Sequence, residues 1–411
     1  MFRKIMYFHY QRSLRDGSHV HTQEFESAFL RLCEAKGIAF TTVAPPQVSG
    51  VSERATIFSR IRHFLARFYL RDFLTLLSQW RRAAREQAML RKERPDIVLT
   101  RFDSNTVSIL WACRREGIPV VVEINGPDDE FNHGDRRLSW FKRLFSNTRA
   151  IQLANGGFAV SEEIADPLQA FVASAKPFIT IPNGVDTDRF HPNISGAPIR
   201  DLYGIADDKV VVGYVGSFAP WHGLDLLVDA VERLVAENLP IHLLLVGQAN
   251  PKWHTTLARV QEPRLRAFVT LSGFVEPQKI PEYVAAMDIT VLPNAADYCS
   301  PLKLFEYMAM AKPTVAVGIS PVVAMLTDGV EGFIFPKGDV DALSARLKEL
   351  VQNSAQRRLL GVAARSRMER EFTWSHNAER VYGLLESVQA CSDLAFDRSS
   401  NRRISPGRRW P

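Results

Sequence analysis

The chain has 411 residues, 46% hydrophobic and 23% charged, with a formal net charge of +6. Those proportions mark a soluble globular protein long enough for two domains, and no apolar run reaches the roughly 18 residues of a bilayer span. The start, MFRKIMYFHYQRS, lacks the features of a signal peptide, and four scattered cysteines suggest neither a zinc site nor a disulfide framework, which fits a reducing, cytoplasmic compartment.

Residues 4–10 read as a strand, Asp16-Gly17-Ser18 as a turn, and 21–36 as an amphipathic helix. A strand at 38–43 precedes a basic stretch, 51–95, with eleven Lys or Arg against four acids, a local excess of +7. Apolar residues recur at helical spacing within it. Two readings stay open: an amphipathic helix lying on an anionic membrane, or a helix whose apolar face packs on its domain. A second basic-aromatic run at 136–145, RRLSWFKRLF, favours the membrane; no nucleic-acid module is evident, and Asp128-Asp129-Glu130 reads as a solvated loop. Strands follow at 96–100 and 119–124. The rhythm restarts after Pro192, with strands at 209–215, 241–246, 268–271, 289–292 and 314–317 and a helix at 224–237. Helices at 341–352, 355–371 and 375–390 close the pattern, and the last stretch, with five arginines and no periodicity, reads as a flexible tail. Near-continuous apolar strands alternating with helices imply parallel sheets covered on both faces, in two doubly wound domains that meet near 188–197.

The segment 299–316, CSPLKLFEYMAMAKPTVA, carries the sharpest local signal. Ser300 can cap a helix and Pro301 suits its first turn. Lys303 then falls in that turn, where a positive charge opposes the helix dipole. A helix start that holds a diphosphate wants such a cation beside its free amides. Glu306, one turn on, can accept hydrogen bonds from sugar hydroxyls. The pattern points to a diphosphate attached to a sugar, bound beyond the carboxyl end of the strand at 289–292.

Several segments in series resemble glycosyltransferase family four, the retaining nucleotide-sugar transferases of GT-B fold. IPNGVDTDRF at 181–190 is similar to that family's inter-domain signature, and GYVGSF at 213–218 to the first strand and loop of its donor domain. Gly273-Phe274 with IPEYVAAMDITVLP at 280–293 resembles its nucleotide-facing stretch, and 304–316 its donor-binding helix and next strand. GFIFPKGD at 332–339 and FTW at 372–374 also fit, so the resemblance covers nearly the whole chain. There are departures. Of the family's paired glutamates, Glu306 fills the second place while Tyr298 stands at the first, beside Asp297. The phosphate-binding Arg and Lys map onto Ser217 and His222, and an acceptor-domain histidine maps onto Asn125.

The resemblance implies two Rossmann-like domains facing a central cleft: an acceptor domain at 1–190, a donor domain at 191–372, a helix at 373–391 crossing back, and a tail at 392–411. It implies a retaining glycosyltransferase that moves a sugar from a nucleotide-sugar donor to a glycan or lipid-linked acceptor in surface polysaccharide or glycoconjugate synthesis, with no metal and no further cofactor. Lys303, His222, Glu123 and Asn125 would serve the reaction. Gly17, Ser18, Ser217, Gly273, Phe274, Asp297, Tyr298, Ser300, Leu302, Leu304 and Glu306 would hold the substrates. Each has a plainer reading: Lys303 a solvated surface lysine, Gly17-Ser18 an ordinary strand-to-helix turn, His222 a packing histidine. His9, His19 and His21 are read as structural. A catalytically silent GT-B scaffold that binds glycan or a partner is the alternative. A nicotinamide oxidoreductase is disfavoured because no G-x-G-x-x-G follows the first strand.

Overall fold

Runs of Val, Ile and Leu without polar alternation become strands covered on both faces; every residue of Ile97–Arg101 and Val120–Ile124 is buried. The computed structural model describes residues 2–10, 17–44, 70–102, 107–126, 151–172, 176–248 and 253–401, and the chain divides into two compact units. The first comprises Met1–Ile181 and Ala378–Pro411, the second Pro182–Asn377.

In the first unit the order is β1 (Lys4–Phe8), α1 (Gly17–Ala35), β2 (Ala39–Val43), α2 (Leu70–Glu93), β3 (Ile97–Arg101), α3 (Val107–Glu116), β4 (Val120–Ile124), β5 (Gly156–Ala159), α4 (Glu162–Phe171) and β6 (Phe178–Thr180). These strands form one parallel sheet in the order β2-β1-β3-β4-β5-β6. The winding reverses between β1 and β3, so the carboxyl ends of those two strands open a crevice suited to a ligand.

The second unit runs α5 (Ala197–Tyr203), β7 (Val210–Val215), a 3-10 turn (Pro220–His222), α6 (Leu224–Ala236), β8 (Ile241–Val246), α7 (His254–Val260), α8 (Pro263–Arg266), β9 (Val269–Leu271), α9 (Ile280–Ala285), β10 (Ile289–Leu292), α10 (Leu302–Ala309), β11 (Thr314–Val317), α11 (Ser320–Met325), β12 (Gly332–Phe335), α12 (Val340–Gln352) and α13 (Ser354–Glu371). Its parallel sheet is ordered β12-β11-β10-β7-β8-β9, and the winding reverses between β7 and β10. Helix α14 (Trp374–Asn401) follows; from Ala378 it belongs to the first unit, where Tyr382 packs edge-on against Phe2 at 5.8 Å between ring centroids.

The structure departs from the sequence reading in four places. Gly17 and Ser18 are the first residues of α1 rather than a turn ahead of it. Strands β5, β6 and β12, three or four residues long, were not read from the sequence. In β5 the glycines answer to packing: a Cβ on Gly157 would stand 2.5 Å from Phe178 Cε1 and 2.8 Å from Val122 Cγ2. The start of the tail, residues 392–401, continues α14, since neither glycine nor proline interrupts the chain before Pro406. Lastly, α2 covers 70–93 of the basic stretch, whereas 51–69, 128–130 and 136–145 lie outside the described residues.

Candidate functional site

In the second unit, the carboxyl end of β7 carries Tyr214, buried like its neighbours on both sides of the strand, and Gly216 lies just beyond it. Lys303 reaches the same point from the first turn of α10. Its ammonium donates to the Tyr214 hydroxyl at 2.8 Å and stands 4.4 Å from the centroid of the same ring. The Tyr214 hydroxyl in turn donates a hydrogen bond to the Ser217 carbonyl at 3.2 Å. Gly216 is required here: at φ +143° a side chain would be strained, and its Cβ would lie 2.8 Å from Lys303 Nζ and 2.9 Å from Tyr214 Oη. Burial pushes the Lys303 ammonium down to about 8, with Cys299 and Glu306 partly opposing the shift. It is still mostly protonated at pH 7. A half-buried cation thus sits at the point where the sheet reverses, hydrogen-bonded to a neutral phenol.

His222 ends the 3-10 turn, its ring 6.0 Å from that of Tyr214. Burial first, then the Lys303 charge, holds it down at about 3, so it is neutral near pH 7. In that state His222 offers a dipolar ring nitrogen rather than a cation. Its Nδ1 is buried without a hydrogen-bond partner among the described residues. The neighbouring Trp221 is 62% exposed and does not enclose it.

The start of α10 differs from the expected cap. Pro301, lacking an N–H and holding φ −78° and ψ 111°, takes the N-cap place, and no side chain caps the helix. Ser300 falls one residue outside it. Its hydroxyl is buried without a partner among the described residues, while its carbonyl accepts from Asn183 Nδ2 at 2.8 Å. The Leu304 amide already donates to the Pro301 carbonyl at 2.9 Å, so Leu302 and Lys303 carry the amides that open the helix. Glu306 is half-buried one turn on. Asp297 does not join this group: it is exposed and paired with Lys337 at 2.5 Å, and Tyr298 beside it is half-buried. Ser217 is exposed. Gly273 (φ +73°) accepts from the Gly247 amide at 3.1 Å, and Phe274 is 52% exposed.

In the first unit, Glu123 and Arg101 are direct neighbours on β4 and β3 at the switch point, both buried. Glu123 Oε2 accepts from Tyr7 at 3.1 Å; Oε1 accepts from Asn125 Nδ2 at 2.7 Å and lies 3.5 Å from His21 Nδ1 and 3.9 Å from Arg101 Nη1. Arg101 Nη1 also reaches His21 Nδ1 at 3.0 Å and donates to Thr22 Oγ1 at 2.7 Å. Burial alone would raise the Glu123 pKa, but His21, Arg101, Asn125 and Tyr7 outweigh it and hold the carboxyl below its usual value. Gly17 and Ser18 stand in the first turn of α1, the helix that supplies His21.

The structure therefore gathers Lys303, His222, Ser300 and the start of α10 around β7, and Glu123 with Asn125 around β3 and β4. Sequence reasoning missed Tyr214, Gly216 and Arg101, and read His21 as merely structural. Arg101 leaves a trace: a charged residue closing the buried strand IVLTR is costly unless it is paired. Tyr214 leaves none, since an aromatic residue in a strand is ordinary core.

A family model described as Glycosyltransferase Family 4 matches residues 16–189, and one described as Glycosyl transferases group 1 matches 209–353. A D-inositol 3-phosphate glycosyltransferase of Stackebrandtia nassauensis is 31% identical over 238 residues, covering 55% of this chain and 51% of the relative. A GDP-mannose-dependent monoacylated alpha-(1-6)-phosphatidylinositol monomannoside mannosyltransferase of Corynebacterium glutamicum is 28% identical over 219 residues, covering 51% and 56%. The chain spans about half the length of the curated relatives it matches. Among solved structures, a glycosyltransferase of Rickettsia africae aligns with TM-score 0.70 at 15% identity over 94% of this chain and 98% of that one. Anabaena HepE in complex with UDP aligns with TM-score 0.68 at 17% identity over 93% and 100%. These likenesses show the fold: two doubly wound units of the GT-B class.

Proposed function

The chain belongs to glycosyltransferase family four, and on that premise we propose that it is a retaining glycosyltransferase whose second unit binds a nucleotide-sugar donor and whose first unit binds a hydroxyl-bearing glycan or lipid-linked acceptor. The bond between the sugar's anomeric carbon and the diphosphate breaks as the acceptor oxygen bonds to that carbon on the same face. The acceptor's proton passes to the departing phosphate oxygen. Negative charge grows on the leaving diphosphate, so a fixed cation and amides beside it lower the barrier most. The observation that carries this reading is Lys303: its ammonium is held by Tyr214 against Gly216 at the switch point, beside the opening amides of α10. His222 lends a neutral ring nitrogen. Glu306 takes the nucleotide's ribose hydroxyls. No metal or further cofactor is part of the proposal.

UDP- and GDP-sugars are the first donors to test, since one structural relative is seen with UDP and one curated relative is named for GDP-mannose. Thermal-shift titration with UDP and GDP, then transfer assays with their sugars onto inositol phosphate and lipid-linked acceptors, test the reading. Saturable binding followed by transfer with retention of anomeric configuration supports it. Tight nucleotide binding with no turnover of any donor would replace it with the silent scaffold.

An anionic membrane surface belongs to the same proposal, in surface polysaccharide or glycoconjugate synthesis at the inner face of the cell membrane. On α2, Leu77 and Trp80 are exposed, by 41% and 66%, beside the exposed Arg81 and Arg85, while Glu86 is buried. An exposed face with aromatic, aliphatic and cationic residues suits anionic headgroups. No helix among the described residues is long and apolar enough to cross a membrane.

A further inference from the structure

Asn125 follows β4 directly, and its side-chain amide has one defined neighbour, Glu123 Oε1 at 2.7 Å. An ionised carboxylate only accepts hydrogen bonds, so the nitrogen of the amide must face it and the carbonyl oxygen must face away. The orientation of Asn125 therefore follows from the charge on Glu123 Oε1. A Glu123 protonated on that oxygen would donate to the amide oxygen, and Asn125 would turn over and present its NH2 group instead. Nothing about Glu123 favours its charge except its partners, because it is wholly buried. The groups facing it come from each packed element: Tyr7 and His9 from β1 and its end, His21 from α1, Arg101 from β3, and Asn125 itself. Glu26 of α1 acts on Tyr7 and His9. Of these, only Arg101 carries a permanent positive charge. It is a guanidinium and cannot accept, so the His21 Nδ1 that faces it at 3.0 Å is the acceptor there; His21 and Arg101 both act to lower the Glu123 pKa.

We propose that Arg101 is a positioning residue for the acceptor: its charge keeps Glu123 ionised, Glu123 fixes the Asn125 amide, and the Asn125 carbonyl oxygen accepts a hydrogen bond from an acceptor hydroxyl. Three features support this. The cluster lies at the carboxyl ends of β1, β3 and β4, at the switch point of its sheet, where ligands of such sheets bind. Its charged members are buried, yet Asn125 at its edge is partly exposed and has no hydrogen bond to its Oδ1 among the described residues. The carboxyl is also held below its usual pKa against the effect of burial, as this arrangement requires. The ligand thereby selected is a hydrogen-bond donor, a sugar or inositol hydroxyl, rather than a bare anion. The inference rests on the reading of the first unit as the acceptor-binding unit.

The test uses the full chain in three forms: wild type, Arg101→Gln and Arg101→Lys. In Arg101→Gln, Glu123 should take up a proton near neutrality. The acceptor KM should then rise about tenfold, the worth of one hydrogen bond, with donor KM little changed. Raising the pH should restore it as Glu123 ionises, while wild type shows no such transition and Arg101→Lys lies close to wild type. The carbon-13 shift of a labelled Glu123 carboxyl reads the same event without any turnover: ionised at neutral pH in wild type, protonated in Arg101→Gln. If no donor and acceptor react, the functional reading fails, and the carboxyl shift still decides the network. Should Arg101→Gln not fold, Asn125→Ala serves: acceptor KM should rise by a similar factor at every pH, with donor KM little changed. A Glu123 carboxyl that stays ionised without Arg101, an acceptor KM unmoved in both variants, or a loss that is the same for donor and acceptor overturns the proposal.

Discussion

Replacing Lys303 by methionine separates what the residue does for stability from what it does for a ligand. In the folded protein its ammonium sits near pKa 8 instead of the ordinary 10.5, a penalty on the charged form of about 3 kcal/mol. The sign is that of a depressed base: the penalty is full below pH 8 and vanishes above 10.5, so at pH 7 the fold carries all of it. Methionine keeps the chain's apolar volume and removes the penalty, losing the 2.8 Å bond to Tyr214, worth about 1 kcal/mol, and the cation–π contact with the same ring, worth about 0.5–1 kcal/mol. Lys303→Met should therefore be at least as stable as wild type and show no fall in Tm. Its effect on the reaction should be the opposite. A unit charge about 4 Å from a phosphate is worth about 4 kcal/mol at an effective dielectric of about 20, and loss of one preorganised donor of this kind costs roughly 100- to 1,000-fold in kcat. Calorimetric Tm, UDP or GDP affinity and transfer rate, measured on one preparation, give the comparison. A near-normal rate would remove Lys303 from the diphosphate. A fall in Tm large enough to explain lost activity would show that the ammonium serves the fold instead.

Further outcomes are expected. Because Lys303 loses its proton near pH 8, kcat/KM and nucleotide affinity should decline above that value; His222, already neutral, should add no transition near neutrality, and a pH profile checks both. Gly216→Ala should displace the ammonium and add backbone strain of about 1–3 kcal/mol, weakening nucleotide binding more than Tyr214→Phe does; titration calorimetry of both variants tests the order. Asn183→Ala removes the 2.8 Å bond to the Ser300 carbonyl and should cost about 1 kcal/mol in stability, read by denaturant unfolding. Arg81→Glu with Arg85→Glu should reduce sedimentation with anionic vesicles and leave neutral vesicles unaffected.

Much of the fold was legible because buried parallel strands are written as unbroken apolar runs. IVLTR and VVVEI are visible without any neighbour, as are the helices between them. The short strands were not: GGFA is a strand only because Phe178 and Val122 occupy the space that side chains at its glycines would need. Lys303 was legible because it breaks a local rule at a helix start, and Glu306 because it follows at one turn. The cap was misjudged by one residue, since Pro301 displaced Ser300 from the N-cap.

What the sequence by itself determined was the alternation of apolar strands and helices, the two units it implies, and a lysine placed against its own helix dipole. Strand order was decided only by the tertiary structure, and with it the two points where winding reverses, between β1 and β3 and between β7 and β10. The second reversal brings Lys303 to Tyr214, 89 positions earlier, and the first sets β1 beside β3, so that Tyr7 reaches Glu123. Periodicity reports which face of an element is apolar. It carries no record of which element lies beside it, and the charge states of Lys303, His222 and Glu123 are set by those neighbours.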